Sequence, residues 1–354
     1  MPRARKPRVA PSQCALACLL LSRVTPAELA AQSVVGTSAP HSAPSTAQAP
    51  TLQSLDQSLR TQSFTAVQLR RFVDDRGTVT AVREKLEVAS NGTSDPAFAL
   101  TFLGVEGEPT GSPLSRQWQQ TYAEQGPRFY THGTFRVRDL ARAATNYSLY
   151  DFGSAVRANR AVRRTVVFPH SFDKALLVVD VDSQTGVPLY IAEFDTHLRM
   201  LSEVEAISFS SSVGSFTPTT TGATRVANYS AALSLMGQPA ETVDPNVASV
   251  AAEYQLDRVE VENDAVNGQW RMTMTYTDGI DQFFVVETPK SPDWMATLPA
   301  RSGGSHVIGR FRDAAMSMLV FWEGGVSFHV AGRGSLQRLD NMAQAIYLQA
   351  ISTH

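Results

Sequence analysis

The chain has 354 residues, with 31 Lys and Arg against 33 Asp and Glu, a net charge of −2. A hydrophobic share of 43% supplies a sizeable core, and the length suits two domains with tails. A balance this near neutral argues against a dedicated nucleic-acid binder, which carries a strong basic excess.

Arg3, Arg5, Lys6 and Arg8 form a basic stretch, followed by the short apolar run CALACLLL from Cys14 to Leu21 and by small residues around Ala27 to Ala31. This is the order of a secretory signal, and the run is too short to span a bilayer as a mature helix. We expect residues 1–31 to be a signal peptide, with the mature chain starting near Gln32 and exported to the envelope. A lipid anchor at Cys18 is the less favoured alternative, because so few apolar residues precede it. Both cysteines, Cys14 and Cys18, lie in this leader. The mature chain is then expected to have no disulfide, thiolate metal site or cysteine nucleophile.

Residues 32–50 read as a disordered tether, since GTSAPHSAPSTAQAP cannot bury enough apolar surface to offset ordering. Thr51 caps a short helix with Leu52, Leu55 and Leu59 on one stripe and Asp56 one turn before Arg60. The period then changes to two. Phe64–Val73, Thr78–Val88, Ala97–Leu103, Ala161–Phe168, Lys174–Val181, Val187–Phe194 and Leu198–Phe209 read as strands. Asp74-Asp75-Arg76-Gly77 and Asp182-Ser183-Gln184-Thr185-Gly186 are turns, which implies antiparallel pairing. Residues 104–144 carry no clear pattern.

Residues 210–247 are polar and turn-rich and read as a linker, with a helical turn or two at Ala227–Met236. Strands resume at Arg258–Glu262, Trp270–Tyr276, Gln282–Glu287, Val307–Phe311, Ser317–Trp322 and Val326–Ala331. Ser335 then caps a final helix with Leu336, Leu339, Ala343, Ile346, Tyr347 and Ala350 on one face.

No phosphate-binding loop, HExxH zinc motif or nucleophile elbow is present, and the seven histidines are scattered. No catalytic residue, metal site or cofactor is expected. Asp180 and Asp182 lack the closing acid of a calcium loop and read as a strand end before a tight turn. Glu84, Glu87, Glu193, Glu203 and Glu205 read as a solvated strand face.

Two features leave both a bland and a functional reading open. From Arg128 to Lys174 basic residues outnumber acidic ones. Arg157, Arg160, Arg163 and Arg164 are then either an ordinary basic face or a docking surface for an acidic partner or anionic headgroup. The aromatic and branched strand residues of 51–209 either fill a core or line an apolar cavity inside a curled sheet. Strand alternation assigns that cavity to Phe64, Leu69, Phe98, Phe102, Val166, Leu177, Tyr190 and Phe194. An error of one residue in register would flip a whole face.

Between Asn146 and Phe209 the aromatic run Tyr147–Phe152, the basic strand 161–168, the strand–turn–strand VVDVDSQTGVPLY and the strand ending Ile207-Ser208-Phe209 stand in order. Tyr276-Thr277-Asp278-Gly279-Ile280 with Phe283–Val286 forms a second block. Together these resemble the MucB/RseB family of periplasmic sigma-E regulatory proteins, whose large domain is related to the lipoprotein-carrier LolA/LolB fold. The family's Trp-Leu-Pro lead-in to the small domain is replaced by Tyr254-Gln255-Leu256. The resemblance implies an α+β, mostly antiparallel fold. An open half β-barrel with covering helices over 51–209 would be joined by the linker to a smaller sheet with a C-terminal helix over 248–354. It further implies a periplasmic, non-enzymatic regulator. Such a protein binds the outer part of a membrane anti-sigma factor and controls its proteolysis in response to an envelope lipid signal. The alternative is a lipoprotein or lipid carrier of the bacterial envelope with no sigma-factor role.

Overall fold

The computed structural model describes residues 49–73, 77–93, 95–220, 222–237, 252–264, 269–288, 307–313, 316–323, 326–333 and 336–352. The expected signal peptide, nearly all of the tether, Asp74–Arg76 of the first turn and the cap Ser335 lie outside the described residues. No helix among the described residues is long and apolar enough to cross a membrane.

Helix α1 (Leu52–Thr61) begins where expected. Thr51 accepts the Ser54 N–H at 3.0 Å, and the Ser54 hydroxyl accepts the Thr51 N–H at 2.9 Å. Strands β1 (Phe64–Val73), β2 (Val79–Ala89) and β3 (Ala97–Val105) follow. After helices α2 (Pro113–Gly133) and α3 (Leu140–Asn146) come β4 (Tyr147–Arg157), β5 (Arg160–Pro169), β6 (Leu176–Asp182), β7 (Pro188–Phe194) and β8 (Met200–Ser210). These eight strands form one antiparallel sheet in the order β3-β2-β1-β8-β7-β6-β5-β4. The sheet is open, because its end strands β3 and β4 do not pair with each other. Side chains of one face pack beneath α1, α2 and α3.

Helix α2 occupies the stretch that has no clear sequence pattern. Gly126 and Pro127 interrupt its centre, and proline removes one helical N–H. Its apolar stripe is nonetheless present: Trp118, Tyr122 and Phe129 stack over Phe72 and Phe102 with ring centroids 4.7–5.4 Å apart. Strand β4 shows no regular alternation in the sequence, because a bulge between Asp151 and Ser154 breaks it.

The second sheet contains β9 (Thr224–Val226), β10 (Gln255–Asp264), β11 (Gln269–Thr277), β12 (Gln282–Thr288), β13 (Val307–Asp313), β14 (Met316–Glu323) and β15 (Val326–Gly332). Its order is β13-β14-β15-β12-β11-β10-β9, with α4 (Tyr229–Met236) and the C-terminal α5 (Leu336–Ser352) packed against it. The segment 210–247, expected as a linker, therefore contributes both β9 and α4. Its apolar residues Ala232, Leu233 and Met236 are buried in the second core with Val259, Val261 and Met274. Residues Gln48–His354 form one compact unit.

The β4–β5 turn carries Ala158 and Asn159 at φ 48° and 59°, both left-handed. Asparagine tolerates this region, but alanine does not. Ala158→Gly is expected to stabilise the protein by about 0.5–1 kcal/mol, read from the midpoint of urea unfolding. An unchanged or lower midpoint would contradict strain at this turn.

Candidate binding cleft and the joint between the sheets

The open sheet and α1 bound a narrow cleft with a cavity volume of about 40 Å³. Its apolar walls come from Leu59 on α1, Phe64 and Ala66 on β1, Leu86 and Val88 on β2, Leu189 and Ile191 on β7, and Val204, Ala206 and Phe209 on β8. The segment after α2 closes it with Thr134, Arg136, Val137 and Arg138. Arg60 also borders the cleft and donates to Asp56 at 2.8 Å. The walls are apolar, and the arginines stand at the border.

Of the eight residues assigned to a cavity from the sequence, Phe64 lines this cleft. Phe98 and Phe102 lie on the same face but are covered by Tyr130 and Tyr122, and Leu177 packs with Leu55 and Phe135. Leu69, Val166, Tyr190 and Phe194 fall on the opposite face, the one that carries Glu203 and Glu205. The reason is register. The paired side chains that face the helices are Gln68 and Glu84 across β1–β2, and Ile191 and Val204 across β7–β8. Aromatic content alone does not identify a face of the sheet.

The four arginines lie on or beside one hairpin, and each meets a carboxylate. Arg157 donates to Asp180 at 2.9 Å and to Glu205 at 2.8 Å. Arg164 also donates to Asp180, Arg160 to Asp182, and Arg163 to Asp151. The charges of these four arginines are thus met by acids from β4, β6 and β8. Asp182 additionally accepts the Thr185 N–H at 2.9 Å and its hydroxyl at 2.7 Å, which folds the tight turn expected there. That turn then docks on α1. The Ser58 hydroxyl donates to the Gly186 carbonyl at 2.8 Å, and Gly186, at φ 73°, leaves its Cβ position 2.8 Å from the Ser58 Cβ.

The expectation of a solvated glutamate face fails for Glu84 and Glu193, which are 0% and 1% exposed. Glu84 faces inward on β2 and accepts Arg70 Nη2 at 2.9 Å, together with Gln68 Nε2 and the Tyr122 hydroxyl. Burial, reinforced by the Glu84 charge, pushes the Tyr122 phenol up, so it stays protonated as a donor. Strand alternation alone could not reveal these acids: the partners of Glu84 come from a neighbouring strand and from α2, and Glu193 meets Ser202 of β8 and, at 3.7 Å, Arg333.

A second constellation, unforeseen from the sequence, joins the two sheets. The β11–β12 turn, Thr277 to Asp281, inserts against α3 and β4. Asp278 is fully buried. It accepts the Tyr147 hydroxyl at 2.8 Å and Lys174 Nζ, and it also accepts the N–H groups of Ile280 and Asp281. Asn146 Nδ2 donates to the Asp278 carbonyl at 2.8 Å, and the Arg138 N–H donates to the Gly279 carbonyl at 2.8 Å. Ile280 completes the first sheet's core beside Leu55, Phe135 and Tyr147. Around this plug Arg338 bridges Asp173 and Glu253, and Asp95 meets Arg225 at 3.1 Å and Arg258 at 3.3 Å.

Beside the plug, Tyr254 donates to Asp281 at 2.7 Å. Burial and the adjacent Asp278 charge push the Asp281 carboxyl up to about 6. The folded protein binds this proton more tightly than the unfolded chain does. Asp281 therefore adds stability below its unfolded value of 3.8 and loses that contribution as pH rises through about 6. Asp281→Asn is expected to flatten the stability profile between pH 4 and 7, measured by urea unfolding at each pH. A profile parallel to that of the parent protein would contradict this.

Among the described residues no group of three or more His, Cys, Asp or Glu is placed to hold a metal ion. The fold and cleft define a two-sheet α+β protein. It has an open, helix-covered antiparallel sheet with an apolar cleft and a smaller sheet plugged into its side. The arrangement is similar to MucB in complex with MucA(peri), at 14% identity, 82% of this chain, 95% of that chain and a TM-score of 0.45. The Pseudomonas aeruginosa MucA/MucB complex is similar at 14% identity, with the same coverage and a TM-score of 0.46. A putative outer membrane lipoprotein-sorting protein domain from Vibrio parahaemolyticus is similar at 9% identity, over 45% of this chain and 88% of that chain, with a TM-score of 0.18. No protein-family model matches the chain, and no curated protein matches it.

Proposed function

We propose that this is an exported, non-catalytic envelope regulator. In this reading it binds the outer part of a membrane anti-sigma factor and controls its proteolysis in response to an amphiphile that enters the cleft. The observation that carries the reading is where the family-like residues lie. The VVDVDSQTGVPLY hairpin packs on α1 at the cleft, and Tyr276–Ile280 forms the plug between the sheets. The blocks that resemble the MucB/RseB family thus build a cleft and a joint, and neither feature needs a catalytic group. Binding an extended segment across two sheets joins two weaker contacts at high local concentration. Arg157, Arg160, Arg163 and Arg164 are proposed to steer an acidic segment. Their carboxylate partners limit this contribution to the association rate, so its loss should be read in the salt dependence of that rate.

The test is titration of the mature protein with the outer segment of the cognate anti-sigma protein, with and without dodecyl phosphate. Binding that weakens as the amphiphile is added supports the reading. Amphiphile binding with no segment binding at any salt concentration replaces it with the lipid-carrier alternative.

A further inference from the structure

We infer that Thr134–Asp139, the segment between α2 and α3, is a relay in which an anionic head in the cleft competes with the carboxylates that seat the second sheet. This rests on the proposed cleft ligand and adds to it a route by which occupancy reaches the other sheet.

The segment has two sides. Toward the cleft it presents Arg136 and Arg138. Toward the second sheet, the Arg138 and Asp139 N–H groups donate to the Gly279 carbonyl at 2.8 and 3.4 Å, and Gln255 Nε2 donates to Asp139 at 2.6 Å. The arginine side chains themselves span both sides. Arg138 Nη1 lies 3.7 Å from Asp257, and Arg136 Nη1 lies 4.0 Å from Asp95, the carboxylate that also holds Arg225 and Arg258 of the second sheet. These ion pairs are long, so a closer anion competes with them first; Arg138 Nη2 also donates to the Thr131 carbonyl and the Arg136 guanidinium lies 4.2 Å from the centre of the Tyr130 ring, contacts that need not break as the ion pairs exchange. The charge balance points the same way: burial and the neighbouring Arg258 and Arg136 push the Arg138 guanidinium down to about 9. A phosphate or carboxylate head would relieve that crowding by drawing Arg136 and Arg138 toward the cleft. Asp257 and Asp95 would then lose partners, and the Gly279 carbonyl would lose its donor. Because binding linkage is reciprocal, loosening the joint must strengthen cleft binding by the same factor.

The experiment follows amide hydrogen exchange at Ile280 and Asp281, whose N–H groups are held by Asp278. The probes are dodecyl phosphate, dodecanol and inorganic phosphate, each added to the mature protein. Dodecyl phosphate is expected to speed exchange at these amides by about tenfold, with dodecanol binding silently. Inorganic phosphate producing the same effect alone would identify a free anion, not a lipid head, as the trigger, with the relay intact. Gln255→Ala, which removes one bond of the segment and leaves both cores in place, is expected to tighten dodecyl phosphate binding severalfold. Dodecyl phosphate binding with unchanged exchange, or equal speeding by dodecanol, overturns the relay while leaving the cleft reading standing. Absence of any amphiphile binding overturns both.

Discussion

Gly279→Ala is expected to cost on the order of 3 kcal/mol and to unseat the second sheet from the first. Gly279 has φ 111°, a region L side chains rarely adopt. A Cβ there would stand 2.2 Å from the Ala143 nitrogen, 2.7 Å from the Ala143 Cα and 2.7 Å from the Asp139 carbonyl oxygen. All three are backbone atoms, so no rotamer change relieves the overlap and either α3 or the plug must move. Movement would break the Arg138 and Asn146 hydrogen bonds and expose Asp278, whose charge is neutralised by Lys174 within the joint. Urea unfolding should show a lower midpoint, and amides of residues 277–281 should exchange faster than those of β1 and β7. Parent-like stability together with parent-like exchange would show that the turn is not wedged against α3.

Arg70→Met is expected to destabilise the protein by about 3–5 kcal/mol, because it leaves the Glu84 carboxylate buried without its cation. The side chains of Arg70 and Glu84 are 4% and 0% exposed, so water cannot compensate the loss. Adding Glu84→Gln removes the stranded charge while keeping an acceptor for the Tyr122 and Gln68 donors. The double variant should recover at least half of the loss, about 1.5–2.5 kcal/mol, in the same unfolding assay. Equal stability of the single and double variants would mean that packing, not the uncompensated charge, sets the cost.

Local pattern determined a large share of this protein. Alternation placed nearly all of the strands within two or three residues. Helix α1 followed from Thr51 and its leucine stripe, and the Asp182–Gly186 turn from its own side chains. These features are legible because each is decided by residues a few positions apart, through capping, pleating and turn chemistry. Helix α2 was lost because Gly126-Pro127 disrupted a stripe that tertiary stacking on Phe72 and Phe102 then restored. Register was decided only by the folded sheet. The apolar residues alternate on both faces of β1, β5 and β7, and helix cover on one side selects which set lines a cleft. Buried acids looked like surface acids for the same reason. Glu84 finds Arg70 across a strand pair, and Asp278 finds Tyr147 and Lys174 more than a hundred positions away. The sequence by itself determined most strands of the two antiparallel sheets, the first and last helices and the Asp182–Gly186 turn. Only the tertiary structure decided which face encloses the cleft, which charges are compensated, and that the second sheet is plugged into the first, because each depends on pairing distant residues in a low-dielectric interior.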